Sequence, residues 1–188
     1  MIGVKKPSPA LSKFFKAQKV FAGEGWGEGN LKRRFYFSQL LWLLLSFFIL
    51  IIDQLTKHLA LRTLILYKPL PLTAFFNLTL AHNTGAAFSF LDHAGKSGVL
   101  FLTLFALVMS IFILIWLLRL PKNSSWLSIA LSLILGGALG NLLDRVRYGY
   151  VIDFMDVYIH QWHWPAFNIA DSAICAGVFI LCLICTKK

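Results

Sequence analysis

Apolar and polar positions along this chain are sorted into long blocks. No charge occurs from Phe35 to Ile52, from Gly98 to Leu118 (21 residues) or from Ser124 to Leu143 (20 residues). A hydrocarbon core of roughly 30 Å takes about 20 apolar residues in helical form, so each block predicts a membrane span. A fourth block follows Asp171, but Ser172 to Thr186 is only 15 uncharged residues, about 22 Å of helix. That is too short to cross, so the fourth helix must begin ahead of Asp171, around "FNIA", and carry this carboxylate inside the membrane boundary. The expected helices are about 35–61, 98–118, 125–143 and 168–186.

The intervening segments have a different rhythm. "KPLPL" interrupts helix through its two prolines. "AFFNLTLAHNTGAAFSFL" alternates around Phe76, Leu78 and Leu80 before a glycine turn, and "YVIDFMDVYI" is strand-like. Such backbone is not stable against lipid tails, so these segments predict a small sheet at the membrane surface. The expected architecture is an all-α membrane protein of four transmembrane helices, with a small β-sheet on the outer, periplasmic surface. Residues 35–188 form the membrane domain. Residues 1–34 are a basic cytoplasmic tail, comprising a segment, "LSKFFKAQKV", able to lie on an anionic surface or stay disordered, and a flexible "GEGWGEGN" linker.

Composition agrees: 58% of the 188 residues are hydrophobic and 14% charged, against about 25% charged in soluble domains. The net charge of +10 does not indicate nucleic acid, because eight of the 18 Lys and Arg precede residue 35 and form no groove-binding face. With four spans, twelve basic residues fall on the side of the termini and six on the other, which puts both ends in the cytoplasm. Trp162 and Trp164 suit an interfacial belt on the outer side. Cys182 and Cys185 form a C-x-x-C inside the last apolar block and read as small hydrophobes. His160 and His163 lack an acid at ligand spacing, so no metal and no cofactor is expected. No G-x-S-x-G supports a serine triad.

Outside the linker the only acids are Asp53, Asp92, Asp144, Asp153, Asp156 and Asp171. Asp53, Asp144, Asp153 and Asp171 should gather near the outer face. An intramembrane acid marks a functional site by default. Two carboxylates close together in low dielectric share a proton: one can activate water while the other polarises a carbonyl. Proton-coupled transport, or a channel subunit, would use the same pair, so the acids alone do not decide. Asp53 and Lys57 have i,i+4 spacing and read first as a structural ion pair. Asp144 and Arg145 mark the end of helix three, or aim Arg145 at a phosphate or a peptide carbonyl. Asn83, Asn141 and Asn168 would orient the carboxylates or bind a peptide backbone. Gly136, Gly137 and Gly140 would let helices approach closely.

Five blocks in order, "DQLTK" (53–57), "NTGAAFS" (83–89), "GNLLDR" (140–145), "GYVIDF" (149–154) and "WPAFNIADS" (164–172), resemble the bacterial lipoprotein signal peptidases, or type II signal peptidases. The resemblance implies an aspartic endopeptidase of the inner membrane, needing no metal and inhibited by globomycin; a monomer in contact with membrane lipid is expected. It implies removal of the signal peptide from diacylglyceryl-modified prolipoproteins just before the lipidated cysteine. It implies Asp153 and Asp171 as the catalytic dyad, with Asp53, Lys57, Asn83, Gly85, Asn141, Asp144, Arg145, Asn168 and Ala170 binding substrate or supporting the site. The tail before helix one is longer than the family leads one to expect and inherits no role.

Overall fold

The computed structural model describes residues 37–85, 95–121 and 124–186; the basic tail and Ala86–Ser89 of the "NTGAAFS" block lie outside the described residues. Four helices, α1 (Phe37–Thr63), α2 (Gly95–Arg119), α3 (Ser125–Tyr148) and α4 (Ile169–Thr186), are each long and apolar enough to cross a membrane. Strands β1 (Leu70–Thr73) and β2 (Phe76–Asn83) connect α1 to α2, and β3 (Val151–Ile159) and β4 (Trp162–His163) connect α3 to α4. All four strands therefore lie at the same end of the bundle, in one antiparallel sheet of order β1-β2-β3-β4. Pro71 sits in β1, the edge strand, where a missing N–H costs no ladder bond.

The central helix is α3, which packs against the other three. Its buried face is built from small residues, among them Ser128, Ala130, Ser132, Gly136 and Gly140, while the long apolar side chains of α2, such as Phe101, Phe105 and Val108, are exposed on the outside of the bundle. This inversion is expected where the solvent is lipid: apolar side chains gain little by hiding, and close backbone approach drives packing. A Cβ at Gly136 would meet the Ser46 carbonyl oxygen at 2.6 Å, and the Ser46 hydroxyl donates to the Ser132 carbonyl at 3.0 Å across the same contact. Gly136→Leu is accordingly expected to separate α1 from α3 and to destabilise the protein by about 1–3 kcal/mol, measured as a lower melting temperature in detergent. An unchanged melting temperature would contradict this packing.

Ala60, Leu80, Ile152 and Phe154 form a second apolar cluster that seats the sheet on the end of α1. The helices depart from expectation at their ends: α2 begins at Gly95, three residues ahead of the expected 98, and α3 runs on past its expected end at 143. The charge at Asp144 predicts the end of the third helix, yet α3 continues to Tyr148 and stops at Gly149, whose φ of 78° closes the helix with its N–H on the Arg145 carbonyl at 3.0 Å. Asp144 does not break the helix because it is buried and paired.

Candidate active site

Lys57 is 1% exposed and sits between two carboxylates. Its ammonium lies 2.8 Å from Asp53 on its own helix and 2.8 Å from Asp144 on α3. The third ammonium contact is a hydrogen bond to Asn141 Oδ1 at 2.9 Å, so all three donors of the lysine are used. The expected Asp53–Lys57 pair is thus two members of a three-membered cluster completed by Asp144. Each carboxylate also holds a distant backbone: Asp53 accepts the Ala170 N–H at 2.9 Å and Asp144 accepts the Ile152 N–H at 3.2 Å. These bonds tie α1 to the start of α4, and α3 to the start of β3. Gly140 leaves room for the arrangement, since a Cβ there would lie 2.5 Å from Asp53 Oδ2.

Asn141 passes the order of this cluster outward. Its Nδ2 donates to Asp171 at 2.7 Å, and its Oδ1 accepts from Asn168 at 3.2 Å. Asn168 is completely buried and serves both candidate acids. Its side-chain amide donates to Asp153 Oδ1 at 2.7 Å, while its backbone N–H donates to Asp171 Oδ2 at 3.2 Å. Its Oδ1 in turn accepts the Asp171 N–H at 2.9 Å. The reciprocal pair is a capping box, with asparagine as N-cap and the aspartate three residues later. Asp171 is therefore located by the start of α4 itself, where the positive end of the helix dipole favours an anion.

Asp153 comes from β3 and is 1% exposed. Its other oxygen accepts from Asn83 Nδ2 at 3.0 Å. This contact depends on a bulge in β2: between Leu78, opposite Met155, and Ala81, opposite Asp153, one extra residue is accommodated. Without it Leu80 would face Asp153, and His82 rather than Asn83 would be the diagonal neighbour. Burial, and secondarily the charge of Asp171, push the Asp153 carboxyl up to about 7, against the opposing pull of hydrogen bonds from Asn83 and Asn168 and the charge of Lys57.

Asn83 Oδ1 accepts the Gly85 N–H at 3.0 Å, and the Gly85 carbonyl accepts from Arg145 at 3.1 Å. The Nε–H of Arg145 is buried with no acceptor among the described residues. All the residues singled out from sequence thus converge: Asp53, Lys57, Asn83, Gly85, Asn141, Asp144, Arg145, Asp153, Asn168, Ala170 and Asp171 form one connected network. One member escaped the sequence reading. Gln54 donates to Asp144 at 2.9 Å and to Asp53 and the Gly140 carbonyl at 3.3 Å; its position between Asp53 and Lys57 at the end of an apolar run was the available signal. A separate polar group lies in the sheet, where Asp156 meets His163 at 2.8 Å and accepts from Asn77 at 3.1 Å. Among the described residues, no group of three or more His, Cys, Asp or Glu is placed to hold a metal ion.

Four spans with a network of buried carboxylates, amides and one lysine at the sheet end define a multi-pass membrane protein with an acid-based site. The family described as Signal peptidase (SPase) II matches over residues 45–187. Lipoprotein signal peptidases of Coxiella burnetii and Acinetobacter baumannii are 49% and 51% identical over 140 and 148 residues, covering 74% and 79% of this chain and 86% and 84% of theirs. A bacterial membrane enzyme solved by the in meso method superposes with a TM-score of 0.69 at 30% identity, over 78% of this chain and 88% of the other. The chain belongs to the signal peptidase II family, and it is a bacterial membrane endopeptidase of the aspartic type.

Proposed function

We propose that the protein removes signal peptides from prolipoproteins, cutting just before a diacylglyceryl-modified cysteine, with Asp153 and Asp171 as the water-activating dyad. The observation that carries this reading is that both carboxylates bind one asparagine, Asn168, at the polar end of apolar helices. A lipidated substrate can reach that depth only from within the bilayer. One proton is held between the two acids. The ionised member takes a proton from water, the hydroxide adds to the scissile carbonyl, and the protonated member donates to the carbonyl oxygen. Collapse breaks the C–N bond and returns a proton to the leaving amine. The unused Nε–H of Arg145 supplies a donor for a substrate carbonyl, and Asn83, through Gly85, ties that arginine to Asp153. Lys57, Asp53, Asp144, Asn141 and Ala170 hold the frame.

The site faces the outer leaflet with both termini cytoplasmic, in accordance with the charge bias, and a monomer suffices for the chemistry, since Asp153, Asp171 and Asn168 come from the same chain. Globomycin is the expected inhibitor. The direct test is cleavage by purified protein of a diacylglyceryl-cysteine peptide beside its unlipidated counterpart. Cleavage of the lipidated peptide alone, at the bond before cysteine, is expected; equal cleavage of both, or of neither, refutes the assignment.

A pH profile provides a further check. Asp153 keeps its proton up to about pH 7, so kcat/KM should fall as pH rises beyond that, by about tenfold per unit. The Asn83 N–H favours the ionised form of Asp153, so Asn83→Ala should raise the carboxyl's pKa and move the alkaline limb to higher pH. A limb that stays in place would separate Asp153 from the rate-limiting protonation.

A further inference from the structure

A groove of about 230 Å3 opens between α1 and α3, and none of Asn141, Asp153 and Asp171 lines it. Its floor is polar, with Gln54 and the edge of the Lys57–Asp144 pair, and Arg147, His58 and Tyr148 stand around it. The charges are unequal in kind. Lys57 is neutralised by Asp53 and Asp144. Arg147 is exposed, has no carboxylate partner among the described residues, and donates only at 3.3 Å to Gln54 Oε1. The remaining walls are apolar: Ile51 and Leu55 line the groove and are themselves exposed.

Depth identifies the occupant. The charge-free run of α1 ends at Ile52 and that of α3 at Leu143, so Gln54 and Arg147 both stand just outside the hydrocarbon boundary, at the level of lipid phosphates. From Leu55, beside Gln54, the exposed residues Ile51, Phe48 and Leu44 continue down α1 at three- and four-residue spacing, forming a single stripe leading from the groove toward the bilayer centre. A free guanidinium at phosphate height above an apolar lane suits a molecule with a phosphodiester head and acyl tails.

We propose that the α1–α3 groove is a binding site for an anionic phospholipid, with its phosphate on Arg147 and an acyl chain along Ile51, Leu55 and Phe48. The site is separate from the candidate acids and does not depend on their assignment. Gln54 touches Arg147 on one side and Asp53 and Asp144 on the other, so the lipid sits one residue from the frame of the polar network.

The test is native mass spectrometry of the full-length protein in neutral detergent, titrated with phosphatidylglycerol or phosphatidylcholine. Phosphatidylglycerol should be retained preferentially, and Arg147→Ala should weaken its retention about tenfold. Arg119→Ala, which removes one positive charge at the opposite end of the bundle, should not. The melting temperature should rise with phosphatidylglycerol in the unaltered protein and less in Arg147→Ala, and Arg147→Ala without lipid should melt as the unaltered protein does, since this side chain is exposed. Equal retention of the two lipids, or equal loss from Arg147→Ala and Arg119→Ala, overturns the proposal in favour of diffuse attraction. Displacement of phosphatidylglycerol by millimolar inorganic phosphate overturns the commitment to a lipid.

Discussion

Protein carrying Asp153→Asn or Asp171→Asn is expected to insert and fold but to cleave lipidated substrate at least about 10²–10⁴-fold more slowly. The substitution is nearly isosteric, so packing around Asn168 is kept. What changes is the proton inventory, because a carboxamide neither accepts a proton from water nor gives one to a carbonyl oxygen. At position 153 the new amide also faces two donors, Asn83 at 3.0 Å and Asn168 at 2.7 Å, and only its oxygen can satisfy one of them. At position 171 it faces Asn141 and the Asn168 N–H. Both variants should therefore melt slightly lower while losing nearly all activity. The measurement is single-turnover cleavage of a diacylglyceryl-cysteine peptide beside a thermal melt. Near-normal turnover in either variant would remove that carboxylate from the chemistry. The two losses should also fail to add in the double variant, because one shared proton is lost either way.

The second large effect concerns stability rather than chemistry. Lys57→Met should cost about 3–5 kcal/mol, the range for breaking a buried ion pair from one side. The methionine fills the space but leaves Asp53 and Asp144, 0% and 1% exposed, facing each other without a cation. Asn141 Oδ1 loses a donor at the same time. Removing the charge problem should recover stability: Lys57→Met combined with Asp144→Asn is expected to melt above Lys57→Met alone. If the double variant is the less stable, the cost lies in geometry and not in unpaired charge. Activity of Lys57→Met, corrected for the folded fraction, should still fall, because Asn141 and through it Asp171 lose their fixed support.

Much of this was visible along the chain. A charge-free run of about 20 residues has few fates, since backbone groups in lipid must be satisfied within the segment itself. The helices were legible for that reason, as was the need to start α4 ahead of Asp171. Burial of the acids followed from their apolar neighbours. The misreading of Asp144 has the same origin: one charge after an apolar run looks like a helix end until its partner on another helix is known. Lys57 is 87 residues away in sequence, and no local pattern couples them. The pairing of His163 with Asp156 was missed for a similar reason, because it needs the β3–β4 hairpin to bring the two residues together.

The sequence by itself therefore determined the solvent this protein folds in, the number of spans, and the inventory of acids and amides near one end of them. Those properties depend on local hydropathy and on short-range spacing. Tertiary structure alone decided which oxygen meets which donor. The bulge in β2 turned Asn83 rather than His82 toward Asp153, and close packing at Gly140 let Asp53 reach the Ala170 N–H. The capping box at Asn168 then placed two carboxylates on a single residue, one on its side-chain amide and one on its backbone N–H. A one-residue slip in strand register reverses a face, and a methyl group can separate two helices; a linear pattern carries no record of either.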